Sequence, residues 1–321
     1  MTVSEILDAG IRNYQLLGRT FLKVSALPTL FCLAAVAFVS EFIGPNLFTT
    51  NNPNQWSAQV GEVAIQLILA LFVGGPLFLI GASMCTASVC SLTADSFIGD
   101  VPSEAAAIQA SRRVLPTLMR VHLKELLLAL SGFIVSVLLL FLSAWLSNVT
   151  SQDALWTGVV AFVGVVGMMA GFVVLLWVIS IHALASPIAV IEGKGAKLAG
   201  KRSAELMGGR YPIPSGNSAV WNLYSLLLLV WIVLGTTDAI VFGTFDVGTR
   251  VGELLSAIPF AGFLERAIEY IGTYLTLWLT MPLWASVITV IYFERRIRLE
   301  GFDVETLAAD AGRDKTSRFQ L

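Results

Sequence analysis

Long apolar runs alternate along this chain with short segments that hold nearly all of its charge. A hydrocarbon core about 30 Å thick takes roughly 20 apolar residues of helix to cross. Six runs meet that length, at about 24–43, 61–94, 125–146, 156–190, 219–240 and 270–293. Ahead of the first run, Val3, Ile6, Leu7, Gly10, Tyr14, Leu17 and Phe21 recur at helical spacing, while Glu5, Asp8, Arg12, Asn13 and Arg19 take the other side. Thr2 followed by Glu5 fits a capping box. Residues 1–22 therefore read as an amphipathic helix lying in the interface plane. A signal peptide is excluded, because a short apolar core and a small-residue cleavage site are missing.

The second and fourth runs are longer than one crossing needs, and helix-disfavouring residues interrupt some of the runs. Gly74, Gly75 and Pro76 fall near the middle of the second, Pro187 in the inner third of the fourth, and Pro282 within the sixth. A re-entrant hairpin at Pro76 competes with a kinked single crossing, and the basic residues decide between them. With one crossing per run, 18 of the 20 Lys and Arg residues fall on one side, leaving Arg250 and Arg266 on the other. That bias places both termini in the cytoplasm, whereas a hairpin at Pro76 reverses the parity. Gly74, Gly75, Pro76, Pro187 and Pro282 are thus helix-kink candidates. In the second inner segment Ser103 is placed to cap a helix whose first turn carries Glu104. Pro116 is expected to interrupt that helix, with the third span starting near Lys124.

The expected fold is an all-α integral membrane protein of six transmembrane helices with amphipathic interfacial helices on the cytoplasmic side. The N-terminal helix covers 1–22, the membrane domain 23–293 and a cytoplasmic tail 294–321. Composition agrees: the chain is 56% hydrophobic and 13% charged, with mean hydropathy +0.79, more apolar than a soluble core of this length buries. A formal net charge of -2 argues against a nucleic-acid binder.

Candidate chemistry is sparse. Cys32, Cys85 and Cys90 all sit inside apolar runs, where they read as small buried hydrophobes rather than a zinc site or a disulfide framework. His122 and His182 lie in different membrane-edge positions, at the inner ends of the third and fourth spans, without a carboxylate cluster, so neither a metal nor a cofactor is expected. No nucleophile motif accompanies them, and an enzyme is not expected.

Three inner segments share a local pattern: Ala9-Gly10-Ile11-Arg12, Ala110-Ser111-Arg112-Arg113 and Ala199-Gly200-Lys201-Arg202. It suggests a threefold repeat of surface helix, span, outer turn and span. The small residue lets a surface helix pack closely, and Arg12, Arg113, Lys201 and Arg202 become candidates for lipid headgroups or a partner.

The stretches SEILDAGIRNYQLLGRTFL, PIAVIEGKGAKLAGKRSAELMGGR and YFERRIRLEGFDVETLA resemble bacterial six-span proteins of the glycerophosphoryl diester phosphodiesterase membrane-domain family. The resemblance covers most of the chain, through short motifs at the membrane edges. It implies an inner-membrane module of undefined activity, fused in some members to a soluble phosphodiesterase domain for which this chain has no room. The role expected is non-enzymatic, a scaffold or lipid-associated module whose partners are anionic lipid headgroups on the cytoplasmic face, a protein, or a second copy of the chain. A transporter of an apolar or lipid-like substrate is the alternative. Glu41, Glu62 and Asp238 sit near outer ends, and no span carries a charge near its centre.

Overall fold

A computed structural model describes residues 3–43, 69–99, 101–149, 154–208 and 261–301. Among these residues every regular element is a helix. Four stretches are long and apolar enough to cross a membrane: Asp8–Glu41, Ala70–Ile98, Gly158–Ile191 and Arg266–Glu300. The apolar run 219–240 and the tail beyond residue 301 lie outside the described residues.

Helix α1 spans Val3–Ile43 without a break. The expected interfacial helix and the first span are therefore one rod, because the N-terminal half finds protein to pack on. Ile6, Gly10 and Phe21 are buried, as their spacing predicts, and Arg12 and Arg19 stay exposed. Asn13, placed on the polar side by the sequence pattern, is instead buried. Its Nδ2 donates to Ser286 Oγ at 3.2 Å, which satisfies a polar group that burial would otherwise penalise.

A widened π-helical turn, Ala70–Gly74, leads into α2, Gly75–Ile98. The Gly75 N–H donates to the carbonyl of Ala70, five residues back. The cause is Pro76 in the first turn of α2: a proline ring collides with the carbonyl four residues earlier, and a wider turn relieves the collision. The kink candidates Gly74, Gly75 and Pro76 fall at this junction.

Helix α3 spans Glu104–Val149 with Pro116 inside it. The interruption expected at Pro116 does not occur, because Ala107 and Ser111 on one flank and Leu118 and Val121 on the other are all buried. Tertiary packing outweighs the one backbone hydrogen bond that proline removes. Helix α4, Ala154–His182, ends in a turn at Ala183–Leu184 and is followed by the short α5, Ala185–Ile191. Pro187 thus falls in the first turn of α5, where its missing N–H has no intrahelical partner to lose. Gly193, at φ 63°, reverses the chain into α6, Ala196–Gly208. Helix α7 runs unbroken across Pro282 from Ala261 to Glu300.

Side-chain bonds fix the helix directions. Along α1 and α7, Arg266 bonds Glu41 at 3.0 Å, Tyr274 donates to the Ala26 carbonyl at 3.2 Å and Trp278 to the Leu22 carbonyl at 2.7 Å. Rising numbers on one helix meet falling numbers on the other, so the two are antiparallel. Helix α2 also runs against α1: Gly74 lies beside Ala35 and Val39, and Gly81 beside Pro28 and Cys32. Helices α2 and α7 consequently run side by side, with Thr289 Oγ1 3.1 Å from Cys90 Sγ and Phe97 stacked on Phe293 at 5.0 Å. The best-packed core gathers toward their C-terminal ends, around Leu118, Leu184, Ile188, Val287, Ile291 and Tyr292.

The α1–α2 contact demands glycine at one point. A β-carbon on Gly81 would lie 2.5 Å from the Pro28 carbonyl oxygen and 2.6 Å from Cys32 Sγ. Gly81→Ala is expected to force the helices apart and cost about 1–3 kcal/mol. Gly158→Ala, where nothing lies within 4 Å, should stay within about 0.5 kcal/mol of the parent. Reversible unfolding in mixed micelles measures both, and equal stabilities for the two variants would refute the close-contact account.

Candidate functional site

Breaking a helix inside an apolar bundle frees backbone donors and acceptors that have no water to bond. At the α4–α5 break one side chain takes up two of them. Ser203 of α6, fully buried, donates from Oγ to the Ile181 carbonyl at 2.7 Å and accepts from the Leu184 N–H at 3.1 Å. This anchors α6 across the break.

Beside it, His122 of α3 bridges two other helices. Its Nδ1 lies 2.9 Å from Ser83 Oγ on α2, and its Nε2 3.0 Å from Ser186 Oγ on α5. In the neutral ring one nitrogen donates and the other accepts, and each serine hydroxyl can take either role. Both ring nitrogens are therefore engaged within the protein.

His182, the last residue of α4, is placed differently. Its Nδ1 is withdrawn from solvent and has no hydrogen-bond partner among the described residues. The Gly200 backbone comes near it without hydrogen-bond geometry. Its ring faces Gly200 of α6, and the Lys124 ammonium approaches the same glycine. The two histidines thus belong to separate local settings. Among the described residues no group of three His, Cys, Asp or Glu side chains gathers to hold a metal.

An ionic network closes the same end of the bundle. Glu192, in the turn after α5, receives Lys194 at 2.5 Å and a hydrogen bond from Tyr292 Oη at 2.9 Å. Arg202 of α6 lies between Glu192 and Glu300, with its Nε 3.8 Å from Glu192 and a direct bond to Glu300. Arg296 bonds Glu300 at 3.1 Å and donates to Tyr292 Oη at 3.2 Å. Burial pushes the Glu192 carboxyl up, but the hydrogen bonds from Lys194 and Tyr292 and the nearby charges of Lys194 and Arg202 outweigh it. The net shift is below the ordinary carboxylate range.

Of the four headgroup candidates, Arg12, Arg113 and Lys201 are exposed. Arg202 is turned inward and engaged by two carboxylates, which leaves its guanidinium committed to joining α6 and α7. Sequence reasoning missed Ser83, Ser186 and Ser203, since a serine in an apolar run gives no sign of its partner. Spacing held one clue. Gly10 and Asn13 are three apart, as are Gly200 and Ser203, and all four are buried.

No family model matches the chain, and neither a curated protein nor a solved structure matches it.

The Glu192 network has a definite pH signature. The folded value lies below that of the unfolded chain, so the carboxylate stabilises the fold fully above the ordinary range, and this contribution is lost as pH falls through the lowered value. Glu192→Gln should therefore be less stable than the parent at neutral pH, with the gap shrinking as the pH drops below about 4. Parallel unfolding curves at pH 7 and pH 3 check it, and a pH-independent gap would count against the network.

Proposed function

We propose that this chain is a six-span inner-membrane protein with both termini in the cytoplasm, acting without catalysis as a lipid-associated scaffold. The observation that carries this reading is the state of its cations. Arg12, Arg19, Arg112, Arg113, Arg120, Lys197 and Lys201, all in segments assigned to the cytoplasmic face, are exposed and make no ion pair among the described residues. Lys23, Lys194, Arg202, Arg296 and Arg298 of the same segments are ion-paired, as is Arg266, assigned to the opposite face, so the exposed set is what remains for headgroups. Unpaired juxtamembrane cations favour anionic headgroups by about 1 kcal/mol each. The resemblance to the membrane-domain family of glycerophosphoryl diester phosphodiesterases supports a membrane module, and the engaged His122 offers no free base for hydrolysis.

The threefold repeat belongs to the same proposal. Its support is that Gly10, Ser111 and Gly200, the small residues of the three related motifs, are all buried. Gly10 lies against Val287 of α7 and Gly200 against His182 of α4, while Ser111 sits in the half of α3 that packs on α2.

Native mass spectrometry of the protein released from nanodiscs of mixed lipid tests the reading. Changing Arg12, Arg113 and Lys201 to Gln should lower the preference for anionic over zwitterionic lipid by about fivefold per position. Turnover of a glycerophosphodiester or phospholipid by the purified protein, abolished by His122→Ala, would overturn it.

A transporter of an apolar substrate is the second reading, favoured by two helix discontinuities, the π turn at Ala70–Gly74 and the break at Ala183–Leu184. On that reading Pro76→Ala, which lets the π turn tighten, reduces flux into proteoliposomes. Unchanged flux counts against it.

A further inference from the structure

We infer that Lys124 and His182 form, over Gly200, a binding site for the anionic oxygens of a phosphate. The geometry rests on a single point in space. The position that a β-carbon of Gly200 would take lies 3.6 Å from His182 Nδ1 and 3.8 Å from Lys124 Nζ. Two nitrogen groups able to donate therefore converge where there is no side chain.

Among the described residues neither nitrogen meets an acceptor at hydrogen-bonding geometry, the Gly200 backbone near His182 included. His182 Nδ1 is buried and unpartnered, and a buried polar nitrogen left unmade costs as much as a lost hydrogen bond. Lys124 makes no ion pair among the described residues, although Glu125 follows it on α3. This contrasts with His122, whose two nitrogens are both satisfied by serines. One polar centre at the α4–α5 break is complete, and the other lacks its counterpart.

The glycine serves the site rather than the packing. At Gly10 a β-carbon would come within 2.7 Å of Val287 Cγ2, and at Gly81 within 2.5 Å of a backbone oxygen. At Gly200 the same atom would make only ordinary contacts, so collision does not require glycine there. What a β-carbon would do is fill the space between the two nitrogens.

A phosphodiester fits this arrangement: it is anionic, and its two non-bridging oxygens can take one donor each. Lys124 is exposed and stands at the start of the third apolar run, which the six-span reading puts at the depth of lipid phosphates. The site itself stands on the geometry; assigning its phosphate to a phospholipid rests on the lipid-associated reading above.

The test uses the full chain in nanodiscs, with native mass spectrometry for retained lipid and ¹⁵N NMR of the His182 ring. Three probes separate the sources: an anionic phospholipid, a carboxylate-headed lipid without phosphate, and inorganic phosphate. The expected result is one tightly retained phospholipid, a shifted His182 Nδ1 signal, and roughly tenfold or greater loss of retention in Gly200→Ala and in Lys124→Gln. Gly200→Ala should melt no lower than the parent, because alanine is the better helix former. Saturation by inorganic phosphate alone, with the same dependence on Gly200, assigns the site to free phosphate. Retention unchanged by Gly200→Ala, or equal binding of the carboxylate-headed lipid, overturns the site. If the variant lacking Arg12, Arg113 and Lys201 keeps its anionic preference while Gly200→Ala loses its lipid, the peripheral reading fails and this site stands.

Discussion

The hydrogen bonds that Ser203 makes across the α4–α5 break set the arrangement of the rest of this end of the bundle. In an apolar medium an interrupted helix leaves donors and acceptors that must be satisfied from within, and here one hydroxyl from a following helix does so. Because that hydroxyl must reach the break, α6 is held close to the end of α4, with Gly200 against His182. The same placement carries Arg202, one residue before Ser203 on α6, to the carboxylates of Glu192 and Glu300. Through Glu300, Tyr292 and Arg296 the constraint passes to α7, and through the ladder of bonds along α7 to α1. A change at Ser203 therefore bears on helices that it never touches.

The bundle relies on two kinds of close contact that differ in what they tolerate. Between α1 and α2 the backbones meet at Gly81, where the neighbours are a carbonyl oxygen and a sulfur that cannot move aside cheaply. Between α1 and α7 contact is made by side-chain donors reaching carbonyls, as Tyr274 and Trp278 do. Such bonds fix register along the helices while tolerating small shifts between them. The polar groups buried at helix contacts are mostly serines, threonines and one asparagine, which suits a medium where hydrogen bonding replaces the hydrophobic effect as the source of helix specificity.

What was legible in the sequence follows from what hydropathy measures. Apolar run length reports burial in lipid or protein, so the four helices long and apolar enough to cross a membrane were visible in it. Where helices stop was less visible, because that is decided by partners elsewhere in the chain. Pro116 and Pro282 sit inside unbroken helices, whereas the real break precedes Pro187 by three residues. Local proline chemistry is the same in all three; the surrounding contacts differ. Asn13 was misplaced for a related reason, since its polarity is absorbed by Ser286, 273 residues away, a distance over which periodicity is silent. Of the candidate cations, Arg202 looked like its neighbour Lys201 until the fold supplied two carboxylates for it.

The three Ala-Gly or Ala-Ser motifs show how one local pattern comes to do different work. At Gly10 the missing side chain admits Val287, so the constraint is one of shape. At Ser111 the hydroxyl returns to the Ile108 carbonyl of its own helix, so the residue is small and already satisfied. At Gly200 a β-carbon would meet His182 and Lys124 at ordinary contact distance, so the position is not limited by collision. A shared requirement for close packing explains why all three positions are small. It does not explain why the third brings His182 Nδ1 and Lys124 Nζ near one point. Collision does not set the residue at that position, since alanine would fit there, and the neighbourhood of two nitrogens is the feature that distinguishes it from Gly10 and Ser111.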